Sequence, residues 1–175
     1  AFLTIQKAID TISATLDIAG FSVTVRLGNG TYTAPSALKN VRGFAAAGSL
    51  VIQGNSGTPG NVHVNVTGSG FSANGLNVTW DIKDLKITAT GSCITCNASR
   101  VRYGNIEFGA ASSHLVCSGA GNLKAISNYN IVADAGFAHA TVSYGSTIDF
   151  SFTTITLTGS RTFFRFVNAQ TLGII

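Results

Sequence analysis

The 175-residue chain has no methionine, only three cysteines, and charged side chains at just 10% of its positions. Starting at Ala1 without a methionine anywhere, it is expected to be a processed or excised piece of something longer. Three cysteines, an odd number, do not make the disulfide framework of a secreted scaffold. No apolar run is long enough to cross a bilayer as a helix, so no membrane insertion is expected. The first apolar stretch is broken by Gln6, Lys7 and Asp10, which is not the pattern of a secretory leader. The seven acids are Asp10, Asp17, Asp81, Asp84, Glu107, Asp134 and Asp149; they form no cluster of the kind that holds a divalent cation, and no cofactor is expected. The net charge of +4 is scattered, and its basic-aromatic groups are Arg100 and Arg102 with Tyr103, and Arg161 and Arg165 among Phe163, Phe164 and Phe166. Nucleic-acid binding needs a denser stripe. Gly28-Asn29-Gly30 lacks the Lys-Ser/Thr and the following helix of a phosphate loop, so it is a turn.

What the chain does have is a hidden repeat. Fifteen-residue blocks starting at Asn61, Asp84, Asn105, Asn130 and Thr154 align without gaps, with successive starts 23, 21, 25 and 24 residues apart. The second position reads Val62, Leu85, Ile106, Ile131, Ile155, and the fourth Val64, Ile87, Phe108, Ala133, Leu157. The eleventh reads Phe71, Ile94, Leu115, Ala140, Phe164, and the thirteenth Ala73, Cys96, Cys117, Val142, Phe166. A period of this length marks a solenoid in which each repeat stacks on its neighbours. Apolar positions two apart are strand spacing, so each repeat reads as one coil of a parallel β-helix. Five positions before the Leu85 column stand Trp80, Val101, Ile126 and Phe150, which gives three strands per coil plus one variable loop. Length variation is expected in that loop alone, because a one-residue slip turns every inward side chain outward.

The first residues differ in kind. Phe2, Ile5, Ile9, Ile12 and Leu16 recur at roughly helical spacing, which predicts an amphipathic helix of about four turns that Gly20 stops. A solenoid end exposes strand edges and apolar side chains, and residues 1–20 are read as the cap that covers it. Residues 21–175 are read as the β-helix.

The segment Thr4-Ile5-Gln6-Lys7-Ala8-Ile9-Asp10, followed by Val23-Thr24-Val25-Arg26-Leu27-Gly28-Asn29-Gly30-Thr31-Tyr32, resembles the opening of pectate-lyase-like β-helix proteins. That opening is common in bacteriophage tailspikes and tail fibres. The likeness is specific over residues 4–33 and architectural beyond, and it departs where Gly28-Asn29 replaces the usual Pro before the Gly. It implies an all-β, right-handed parallel β-helix, a phage or prophage tail protein of the virion or extracellular space, and a homo-oligomer of trimeric type. It transfers no catalytic residue.

Several columns could carry chemistry. The first, Asn61, Asp84, Asn105, Asn130 and Thr154, is expected to form a hydrogen-bonded ladder at a turn. Lys86 with Glu107, and Asp81 with Arg102, are expected to be exposed ion pairs worth at most about 1 kcal/mol each. Glu107 and Asp134 are the candidate catalytic acids of a polysaccharide hydrolase: one coil and two residues apart, they would lie ~8 Å from each other, within the roughly 6.5–9.5 Å window of inverting enzymes. The alternative is two unrelated surface acids. Cys93, His114 and His139 share the tenth column, expected to face outward, where they could in principle hold zinc or form a polar, aromatic stack. Cys96 and Cys117 should be buried thiols.

The function expected is therefore structural: a tail or virion component presenting an elongated surface to a host glycan or to other subunits. A carbohydrate-active enzyme, hydrolase or lyase, on the same scaffold is the alternative. If a host surface polysaccharide binds, its patch is expected to join Arg102, Glu107, His114, His139 and Arg165 on an outward face. The apolar end, Leu172, Gly173, Ile174 and Ile175 after three phenylalanines, is expected to be covered by further chain or by other subunits.

Overall fold

The computed structural model describes residues 3–170. Phe2 and the stretch from Leu172 to Ile175, both singled out above, lie outside the described residues. The helix α1 runs Ile5–Thr15, with the Thr4 hydroxyl accepting from the Lys7 amide at 3.1 Å as N-cap. Its buried stripe is Ile5, Ala8, Ile9 and Ile12, laid over the first coil. Gln6 ties it there: the side-chain amide donates to the Ala37 carbonyl at 3.2 Å and accepts from the Ala37 amide at 2.6 Å. The helix is one turn shorter than the spacing predicts. Leu16 is already extended and partly exposed, because the chain must straighten to place buried Ile18 against Arg42.

The rest is a β-solenoid of about six turns with parallel pairing throughout. One face stacks Val23–Arg26, Leu50–Gln53, Thr79–Ala89, Arg100–Phe108, Asn122–Ala125 and Thr147–Asp149. A second stacks Ser36–Ala37, Phe71–Asn74, Ser92–Asn97, Ala111–Ser118, Ala135–Ser143 and Phe163–Gln170. A third is made by Gly30–Tyr32, Val62–Val66, the second halves of Thr79–Ala89 and Arg100–Phe108, then Tyr129–Ile131 and Ile155–Leu157. The two long strands bend between faces at Asp84 (φ 63) and Asn105 (φ 49), the same place in successive coils. Asx side chains tolerate that left-handed backbone. One coil earlier the position belongs to Gly54, where a Cβ would stand 2.1 Å from the Asp84 carbonyl oxygen.

The inward columns form one core. Leu85 stands opposite Ile106, Ile87 opposite Phe108, Ile94 opposite Leu115 and Cys96 opposite Cys117, all buried. Further on, three register expectations are corrected. Ile131 stands opposite Phe108, so the second column continues through Tyr129 to Ile155. Ile131 is inside all the same, since the difference is two residues and parity survives. In the last coil Val167 and Ala169, not Phe164 and Phe166, stand opposite Ala140 and Val142. That shift is three residues, parity flips, and Phe164 is 71% exposed. Leu123 and Ile148 continue the Trp80–Val101 column in place of Ile126 and Phe150. The physical reason is shared: length varies at the bends as well as in the loop, through the turn after Ala125 and the bulge within Ala135–Ala138.

Candidate functional site

The chemistry-bearing residues lie mostly at the bend leading into the second face. Cys93, His114 and His139 do share a column, but it faces inward: both histidines are 0% exposed, and so is Cys93. Alternation fails there, just after the register slips between Ala111 and Ser113 and between Ala135 and Ala138. Each of them and its successor, Ile94, Leu115 and Ala140, is buried. The turn is tight; at the preceding coil, a Cβ on Gly70 would meet the Cys93 carbonyl at 2.6 Å.

Burial forces the imidazoles to find partners inside. His114 Nε2 lies 2.9 Å from the Gly109 carbonyl, His114 Nδ1 lies 3.0 Å from His139 Nδ1, and His139 Nε2 lies 2.8 Å from the Tyr129 hydroxyl. Aromatic rings enclose them. Phe108 stacks on His114 with centroids 5.3 Å apart, while Tyr129 and Phe166 stack on His139 at 5.6 and 5.0 Å. Removal from water pushes His114 down to about 4 and His139 well below the ordinary histidine value. The same cause raises the Cys93 thiol and the phenols of Tyr103 and Tyr129. At neutral pH these groups are uncharged and out of reach of a solvent-borne substrate.

The zinc reading gains no geometry from this. The Cys93 thiol is directed at the Ile87 carbonyl, 3.6 Å away, and the imidazoles are occupied with each other. Among the described residues no three His, Cys, Asp or Glu side chains are grouped to hold a metal ion. The five-residue glycan patch is likewise dispersed. His114 and His139 are interior, Arg102 lies on the first face, and Arg165 lies on the second. Arg165 donates to Asn168 Oδ1 at 2.6 Å and lies over the Phe164 ring, 5.3 Å from its centroid.

The two candidate acids are also further apart than expected. Glu107 stands opposite Asn130, so Asp134 is four residues along the neighbouring chain rather than two, beyond the end of Tyr129–Ile131. Glu107 lies beside Gly60 and makes no ion pair with its neighbour Lys86, contrary to the expected couple. Asp134 accepts from the Thr162 amide at 3.2 Å and hydroxyl at 3.0 Å, with Arg161 3.7 Å away. Those contacts, the Thr162 bonds foremost, hold its carboxyl below the usual carboxylate range.

Asp81 and Arg102 do pair, with Arg102 Nε donating to Asp81 Oδ1 at 2.7 Å and Nη2 to Oδ2 at 2.5 Å. The Asp81 side chain is only 6% exposed, so this is no ordinary surface pair. Arg102→Ala would strand a carboxylate. We expect a loss of about 2 kcal/mol, between the exposed-pair and buried-pair limits, against little change for Lys124→Ala in the more open Lys124–Asp149 pair. Urea unfolding of the two variants measures both.

The turn ladder exists with different members. Gln53 Nε2 and Asn105 Nδ2 each donate to the Asp84 carboxylate at 2.8 Å, while Asn61 bonds Thr58 and Asn130 lies one strand further on. A second ladder, Asn97 donating to Asn74 at 2.9 Å, escaped the block alignment. So did Tyr129, the partner of His139. A tyrosine two residues ahead of the aligned isoleucine was its signal, hidden by the two-residue register difference.

A cleft of about 350 Å³ lies between α1 and the first coil, lined by Ile5, Ala8, Val25, Leu27 and Tyr32 among others. It contains none of the candidate residues. Against known protein families, curated proteins and solved structures, the chain has no match.

Proposed function

We propose that the chain is a structural component of a phage or prophage tail, a β-helix that works through its length and through assembly with copies of itself. The observation that carries this reading is the inward packing of Cys93, His114 and His139, with the acids Asp81, Asp84, Asp134 and Asp149 each held by a neighbouring side chain. What remains outside is a stack of sheet ladders suited to contact over an area. The likeness of residues 4–33 to tailspike openings supports the virion assignment, and a helix and strand stand where that likeness calls for them.

The apolar surface supports assembly. Among the described residues, six of the ten exposed large apolar side chains fall in the final coils: Phe137, Tyr144, Phe152, Leu157, Phe164 and Phe166. Concentration of that kind marks a contact surface. Tailspike-like proteins commonly form trimers, and a cyclic three-copy assembly about the solenoid axis would cover it. Multi-angle light scattering of the full chain at micromolar concentration is expected to give three times 18.0 kDa. A stable, soluble monomer would overturn the assembly reading.

A further inference from the structure

The buried imidazole pair admits one neutral arrangement of protons. The Gly109 carbonyl can only accept, so His114 carries its proton on Nε2 and offers Nδ1 as an acceptor. His139 must then donate from Nδ1 and accept at Nε2, and the Tyr129 hydroxyl donates to it. Every link is satisfied with both rings neutral. An added proton on His114 Nδ1 would set one N–H against another across 3.0 Å. A proton on His139 Nε2 would require the Tyr129 hydroxyl to reverse. Either way a cation would sit in the core with no carboxylate of the described residues touching it.

We propose that the Tyr129–His139–His114–Gly109 chain is an acid-operated latch, which fastens the last coils at neutral pH and releases them when a proton enters the imidazole pair. Its hydrogen bonds join the coil of Ala111–Ser118 to that of Ala135–Ser143, and Phe163–Gln170 packs on the far side, its Phe163 and Phe166 rings closing over His139, with Phe150 at 6.0 Å completing the cover. Among the described residues, the titratable groups facing the pair are few. Tyr103 and Tyr129 come from the first and third faces, and Cys93 from the preceding coil of the same column. Among the described residues, the acids whose charge reaches this cluster are Asp134, held by Thr162 and Arg161, and Asp149, held by Ser151 and Lys124. Neither bonds to an imidazole; the charge of Asp134 favours a protonated His114, but burial outweighs it. Asp149 titrates only at about 2, and Asp134 below the usual range, so neither changes charge where the latch acts.

The pH window follows from the direction of the shifts. Both folded-state values lie below the unfolded value of about 6.5, so the unfolded chain binds more protons beneath that pH. Stability from the latch is complete above about 6.5 and is lost as pH falls toward the His114 value of about 4. Between pH 7 and 5.5 the folding constant should drop on the order of tenfold for each buried imidazole. The third histidine, His63, is partly exposed, lies 2.9 Å from Thr88 Oγ1 and is lowered less deeply in the fold, chiefly by burial.

The test is urea unfolding at pH 7.0 and 5.5 on the full chain, wild type beside His63→Gln and His114→Phe/His139→Phe. Wild type and His63→Gln should both lose most of that roughly hundredfold, and the double variant should lose little. A wild-type change below threefold, or its abolition by His63→Gln, would overturn the latch. Should the double variant not fold, two measurements on the wild type decide. Imidazole nitrogen spectra at pH 7 should show His114 protonated at Nε2 and His139 at Nδ1. Amide protection factors should fall with acid first in Phe163–Gln170 and Ala135–Ser143, ahead of Ser92–Asn97. An imidazolium at either site in the folded protein at pH 6, or uniform loss of protection, contradicts the proposal.

Discussion

Ile106→Asn is expected to unfold the protein at 25 °C. Ile106 is 1% exposed and stands in its column between Leu85 and Tyr129. The substitution removes an aliphatic side chain that fills the centre of a coil, at about 2–4 kcal/mol. It also buries an amide beside leucine and a tyrosine whose hydroxyl already serves His139, at a further 1–3 kcal/mol or so. A sum near 5 kcal/mol meets a total stability of about 5–15 kcal/mol for a domain of this kind. Stacked coils offer no compensation, because a chain that slips to hide the asparagine turns its whole strand over. Circular dichroism would show the loss of the folded transition. A cooperative melt within about 5 °C of wild type would mean that Ile106 is not in the core.

Trp80→Ala is the second large effect. Trp80 is the single tryptophan and is fully buried, with Leu50 and Val101 opposite it on the neighbouring coils. Its indole N–H donates to the Lys39 carbonyl at 2.9 Å, which ties the first face to the loop that follows Ser36–Ala37. Truncation leaves a cavity where two coils meet and an unpaired carbonyl, and should cost about 3–5 kcal/mol. Trp80→Phe keeps most of the packing and loses the hydrogen bond, so its cost should be about half or less. Urea midpoints followed by circular dichroism rank the variants. Equal effects of the two would shift the weight from packing to the Lys39 bond.

The repeat made the stacked strands legible because neighbouring coils stay in register through the middle of the chain, where Leu85 meets Ile106 and Cys96 meets Cys117. The inward placement of Cys96 and Cys117 follows directly from period two. The same rule misplaced Cys93, His114 and His139. It assumes a straight strand, and at a bend both a residue and its successor point inside. A gapless alignment also carries no information on where an extra residue sits. Two extra residues between Ile131 and Ala140 changed neighbours but not faces, whereas three in the last coil moved Phe164 out, set Phe166 against His139 and brought Val167 into the column. The candidate site suffered most because His114, His139 and Asp134 lie beside those irregularities. Tyr129 was hidden by the first of these shifts, although it is the residue that completes the proton order around His139.

The stack of parallel coils holds its reactive side chains within, and backbone nuclear Overhauser effects read that arrangement out pair by pair. Parallel, in-register contacts are expected linking Leu85 to Ile106, Cys96 to Cys117 and Cys117 to Val142, with Tyr129, not Ile131, continuing the Ile106 column. Close Hα–Hα contacts across these pairs, as antiparallel strands give, or fast-exchanging ring protons on His114 and His139 at neutral pH, would contradict it.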